Sequence, residues 1–273
     1  MRQAFFPVIV AIALCAAGCA NLAPVRQLAE TANQSLTPFP DLVDDFSASC
    51  QRRGEYQPPS IQPDCSPFET AEASVLAVGE VLRSYTEALG RLAGDDVVTF
   101  TRDIDALETE VKRLPKIDKG TVSAVSNVAG FLSTAATEGY RRKAVKTAII
   151  QANGAVQTMI TGLREIIGTY YVELLTLERE SAKKYYRKLI KRYEDSEPLA
   201  VMLLKDKYDA DLAAIDRRAA AAESLDALLR KTAAAHQVLF DSIEDLKSKK
   251  LVDRVKIYVK EAGPLIRDLK GSF

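Results

Sequence analysis

From Ser66 onward, apolar residues recur at intervals of three and four, the spacing that lines one face of an α-helix. Ser66-Pro67-Phe68-Glu69 predicts a helix start, with Ser66 as cap, Pro67 at the first helical position and Glu69 closing a capping box. Ala71, Val75, Val78, Leu82, Tyr85 and Leu89 carry that helix to Gly94. A second helix, with Val97, Phe100, Ile104, Leu107, Val111 and Leu114, stops at Pro115. A long charged helix runs through Leu174, Leu177, Tyr185, Leu189 and Tyr193 and breaks at Ser196-Glu197-Pro198. Beyond the break lies the cleanest repeat in the chain. Leu204, Tyr208, Asp211, Ile215, Arg218, Ala222, Leu225, Leu229, Thr232, His236, Leu239, Ile243 and Leu246 step by four and three, which is a heptad seam. Leu251, Val255, Tyr258, Val259 and Ile266 predict a last helix interrupted at Gly263-Pro264. No alternating run bounded by hairpin turns occurs. The pattern predicts an all-α fold, an elongated antiparallel helical bundle with long coiled-coil-like helices. Its two longest helices should close as a hairpin near Ser196, which favours a monomer.

Two segments stand apart because they carry no charge, 120–137 and 147–163. One expectation is a pair of buried helices. The alternative is a membrane-active, pore-forming-like hairpin. Ser123, Ser126, Asn127, Ser133, Gln151, Asn153 and Gln157 make hydrocarbon costly and favour the buried reading. Arg141, Arg142, Lys143 and Lys146 form a compact basic cluster between the two segments. It suits a solvated helix end or a contact with head groups or an acidic partner.

The region before Ser66 reads differently. Asn21 to Leu36 has a weak helical pattern, and Thr37 to Asp64 is proline-rich and irregular. Residues 19–65 are therefore expected to form a linker, with the bundle domain over 66–273. Cys50 and Cys65 are the only cysteines in the body of the chain, and an even pair in an exported protein predicts a disulfide. The enclosed segment holds Gly54, Pro58, Pro59 and Pro63, so no helix is expected across it.

The first eighteen residues have the form of a secretory signal: Arg2, then an apolar stretch from Ala4 to Leu14, then Ala16-Ala17-Gly18. Cys19 follows directly, and this junction resembles the lipobox of bacterial lipoproteins. The resemblance implies cleavage after Gly18, lipidation of Cys19 on sulfur and acylation of its new amine. It covers only the N-terminal end and has Ala16 where the family favours Leu. Several acyl chains at roughly 0.8 kcal/mol per buried methylene make a stable anchor. Ala20, rather than Asp, after the cysteine implies sorting to the outer membrane, facing periplasm or cell surface.

Charge and chemistry narrow the function further. Cleavage would leave 273 − 18 = 255 residues, and removing Arg2 from 37 basic and 37 acidic residues leaves 36 and 37. A near-neutral chain gives no case for nucleic acid. No phosphate loop, H-E-x-x-H, G-x-S-x-G or EF-hand pattern occurs, so no cofactor or metal is expected. The single histidine, His236, sits on the seam and reads as a core residue. Ser181-x-x-Lys184 lies in a charged helix without a K-T-G partner and carries no catalytic expectation. Asp211 and Arg218 read as polar layers that set seam register. The sequence therefore predicts a non-enzymatic, lipid-anchored helical protein acting as scaffold, adaptor or accessory subunit in a cell-envelope assembly, with a protein partner.

Overall fold

A computed structural model describes residues 22–94, 96, 119–137 and 144–272. Among these there are eight α-helices and no strand: α1 (Ala23–Ser35), α2 (Phe39–Glu55), α3 (Ser66–Gly94), α4 (Lys119–Thr137), α5 (Val145–Glu165), α6 (Val172–Tyr193), α7 (Pro198–Asp241) and α8 (Lys249–Lys270). The all-α bundle is as the periodicity predicts. The expected helix over 97–114 lies outside the described residues, as do the signal region, Cys19, Arg141, Arg142 and Lys143.

Two long rods form the frame. A π-helical stretch, Ile166–Tyr171, joins α5 to α6 without a break, so Val145 to Tyr193 is one continuous rod. It runs antiparallel to α7 along its whole length. Asn153 meets Gln237, Gln157 meets Ala233, Arg164 meets Asp226, Arg179 meets Asp216 and Tyr186 meets Asp211. The 44 residues of α7 rise about 65 Å at roughly 1.5 Å each. The seam is satisfied within one chain, as expected. It ends at Leu239, however, because α7 stops at Asp241 and Ile243 falls in the following turn.

The expected linker is a correction. Residues 22–55 are core helices rather than a tether. Leu22, Val25, Leu28, Ala29 and Ala32 of the weak pattern are all buried. α1 and α2 lie end to end, both antiparallel to α3. Asn33 Nδ2 donates to the Arg83 carbonyl, the Phe39 ring packs on Gly79, and Ser47 N–H donates to Glu72. Helix wins in α2 because Phe39, Leu42, Val43 and Phe46 offer a buried apolar stripe, while Pro38 and Pro40 fall at its first turn, where proline is tolerated, and the other prolines follow it. The helix also enters the Cys50–Cys65 loop as far as Glu55, where a 3-10 turn at Pro59–Ile61 follows. The bundle therefore has no boundary at Ser66.

Two smaller expectations also change. At the start of α3, Asp64 rather than Ser66 is the cap. Its Oδ1 accepts from the Ser66 N–H at 3.1 Å and the Ser66 hydroxyl at 2.7 Å. The last helix passes through Pro264 uninterrupted. Burial of Tyr258, Ala262, Ile266 and Leu269 on one face outweighs the one backbone bond that proline removes.

The uncharged segments are α4 and the body of α5. Both turn apolar faces inward: Val125, Val128 and Leu132 from α4, and Ile149, Val156, Met159 and Ile160 from α5. Their small residues allow close approach. A Cβ on Gly162 would meet Thr121 Oγ1 at 2.7 Å. No described helix is long and apolar enough to cross a membrane.

Candidate functional site

The disulfide forms as predicted, with Cys50 and Cys65 bonded at a Cα separation of 5.7 Å. It ties the end of α2 to the start of α3. Next to it, α2 meets the two rods through a buried ionic layer. Glu178, 1% exposed, accepts from Arg52 Nε at 2.7 Å and from the Ser49 hydroxyl at 2.7 Å. Asp45 accepts from Arg52 Nη2 at 2.9 Å and from the Tyr171 hydroxyl at 2.8 Å. Arg218 approaches Asp45 at 3.4 Å and Glu178 at 3.9 Å. Two cations thus face two carboxylates, and the layer is neutral. Burial alone would lower the Arg52 pKa, but its bonds to Glu178 and Asp45 reverse this and raise it. Burial, reinforced by Asp45, pushes the Tyr171 hydroxyl up, so Tyr171 stays a donor. Tyr171 reaches Asp45 from the last residue of the π stretch.

Two turns farther along the rods, Asp211 makes a second polar layer. Tyr56 and Tyr186 donate to its Oδ2 at 3.0 and 2.6 Å, and Lys207 pairs with its Oδ1. Burial opposes ionisation of Asp211, but Lys207, Tyr186 and Tyr56 hold its pKa below the usual value. Rings of Tyr56, Tyr185, Tyr186 and Tyr208 gather around it. Asp211 and Arg218 therefore act as polar seam layers, each clamping α2 to the hairpin. Sequence periodicity located both seam positions. It did not locate Asp45 and Arg52, seven apart on α2, or Glu178, because the contacts of α2 with the rod span more than 120 residues of chain.

His236 is buried at the other end of the rods. Asn153 Nδ2 donates to Gln237, so Asn153 Oδ1 is the acceptor for His236 Nδ1–H at 2.9 Å. Nε2 then accepts from the Tyr85 hydroxyl at 2.7 Å. Burial lowers the His236 pKa to about 4, which keeps the ring neutral near pH 7. Both nitrogens are occupied, and the Tyr85 hydroxyl is pushed upward by burial. The arrangement holds α3, α5 and α7 in register. Ser181 of the S-x-x-K match receives only a 3.4 Å contact from Gln57, and Lys184 is exposed. Among the described residues, no group of three or more His, Cys, Asp or Glu converges as a metal site.

Of the basic cluster, only Lys146 is described. It is exposed at the start of α5 and lies 3.5 Å from Glu244.

Exposed apolar and basic side chains gather at the far end of the rods. Beyond the Tyr56 layer, α6 and α7 cover each other and leave their outer faces bare. Leu199, Met202 and Leu203 are 68%, 53% and 60% exposed. They stand at i, i+3 and i+4, so they share one helix face, which points away from α6. On the outer face of α6, Lys184, Arg187, Lys188, Lys191 and Arg192 are all exposed. The heptad repeat marks the buried seam and neither of the two outer faces.

No protein-family model, curated protein or solved structure matches this chain.

Proposed function

We propose that this chain is a non-enzymatic bacterial outer-membrane lipoprotein, anchored at Cys19, that works by contact as a scaffold, adaptor or accessory subunit of a cell-envelope assembly. The supporting observation is the separation of its two ends. Cys19 precedes Leu22 by three residues, a reach of at most about 11 Å. Leu22 is buried and α1 begins at Ala23, so the anchor is mounted on the bundle with no long tether. The start of α1 lies beside the end of α7, since Leu28 lines a cleft with Ala235 and Val238. The apolar tip at Leu199, Met202 and Leu203 is at the opposite end of α7, about 60 Å away by helix rise. A lipidated molecule would hold that tip well out from its membrane. Lys146 opens α5 at the end where α1 begins, and the basic run it forms in sequence with Arg141, Arg142 and Lys143 suits head groups or an acidic partner.

Crosslinking in intact cells tests this reading, comparing the native chain with Cys19→Ala by mass spectrometry. The expected result is a reproducible envelope adduct with the native chain and loss of membrane fractionation in the variant. A Cys19→Ala protein that still fractionates with membranes would overturn the anchor. Liposome leakage by the purified chain would replace the adaptor with a membrane-active protein using 120–137 and 147–163.

A further inference from the structure

α7 carries two heptad seams, and only one of them is used. The buried seam faces the α5–α6 rod. The other begins at the exposed tip and steps by four and three through Leu199, Leu203, Asp206, Ala210, Ala213, Arg217 and Ala220. All seven residues are exposed. They lie on the side of α7 turned away from α6. Leu199 and Leu203, with Met202 beside them, are among the most exposed large apolar side chains of the chain. Neither Asp206 nor Arg217 has an ion-pair partner among the described residues.

We propose that this outer face of α7 binds a second copy of the same chain, in an antiparallel two-helix contact. The seam is complementary to itself under a two-fold axis between residues 211 and 212. In that register Asp206 faces the partner's Arg217, and the symmetry makes the pair twice. Leu203 faces the partner's Ala220, a large residue opposite a small one. Ala210 faces the partner's Ala213, which lets the two backbones approach closely at the centre. Orientation follows from the same charges: a parallel pair would set Asp206 against Asp206 and Arg217 against Arg217. A bilayer is a poorer occupant, because Asp206 and Arg217 lie within the face and Glu194, Asp195 and Glu197 sit exposed at the tip. The overlap from Leu199 to Ser224 is about 38 Å long, so the contact is small and the expected affinity is micromolar. The pairing uses α7 alone and does not depend on the anchor at Cys19.

Sedimentation equilibrium of the full chain in density-matched detergent, over a series reaching about 100 μM, reads the association directly. The native chain is expected to form a concentration-dependent dimer. Asp206→Arg and Arg217→Asp should each weaken it by about tenfold or more, since each replaces two attractions with two repulsions. The double exchange, Asp206→Arg with Arg217→Asp, should restore the dimer to within about threefold of the native value. Leu203→Asp should abolish it. These positions are exposed, so matched thermal melts will show that the fold is unchanged. A chain that is monomeric throughout the series overturns the proposal. So does a double exchange no tighter than either single variant.

Discussion

The body of the bundle and the free end of the α6–α7 hairpin are built from the same rods, yet they treat polar and apolar groups oppositely. In the body, an ionic layer is buried and partnered, as Glu178 is by Arg52 and Ser49. At the free end, leucines are exposed and unpartnered, as Leu199 and Leu203 are. A chain under pressure only to fold would reverse both choices, because burying charge is costly and exposing leucine forgoes its transfer energy. The body spends its polar layers on fixing register and position. The tip leaves its apolar face uncovered by the fold, and the proposed contact rests on that face.

That contrast can be broken most forcefully at the ionic layer. Glu178→Ala leaves Arg52 and Arg218 sharing the single carboxylate of Asp45, and the expected loss of stability is about 3–5 kcal/mol. Urea unfolding with an unchanged slope checks it. A loss below about 1 kcal/mol would mean that the layer is solvated like a surface pair.

Acid should act on the body almost as strongly. His236 binds its proton at about pH 4 in the folded chain and near 6.5 when unfolded. Below 6.5 the unfolded state binds more protons, so stability is complete above that pH and falls toward pH 4. The full loss is about 3 kcal/mol. His236→Gln should flatten this part of the stability profile. An unaltered slope between pH 6.5 and 4 in that variant would exclude His236 as its source.

Removing the Cys50–Cys65 link frees a loop of sequence separation 15 and should cost about 3 kcal/mol in the chain-entropy model. Melting with and without reductant reads that change. Gly79→Ala should cost about 1–3 kcal/mol, because its Cβ would run into the Phe39 ring and push α2 off α3. The smallest effect belongs to the tip. Leu199→Ser with Leu203→Ser should leave monomer stability within about 0.5 kcal/mol per site. A larger loss would show that the tip belongs to the core after all.

The fold was legible wherever a local pattern carried it. Ser66 to Gly94, the break at Ser196-Glu197-Pro198 and the buried seam of α7 follow from periodicity and stop signals. The N-terminal helices were obscured by composition: the prolines at positions 38 and 40 suggested a linker, yet they occupy the N-terminal edge of α2, where proline is tolerated. Pro264 misled in the opposite way, since tertiary burial carried α8 across it. The polar layers were half legible. Asp211 and Arg218 interrupt the seam and so announce themselves. Asp45 and Arg52 of α2 have ordinary surroundings in sequence and meet Glu178 and Tyr171 only through long-range packing. The outer face of α7 was hidden because alanines at heptad spacing look like generic helix filler until their exposure is known.

The central claim is that the free end of the hairpin, and not the uncharged body, is the contact surface of this protein. The most direct measurement places a photo-crosslinking amino acid at Leu203 in one strain and at Ile150, also exposed but on α5, in another. The account predicts a discrete adduct from position 203 in intact cells, with a second copy or another envelope protein, and none from position 150. No adduct at 203, or equal adducts from both positions, would contradict it.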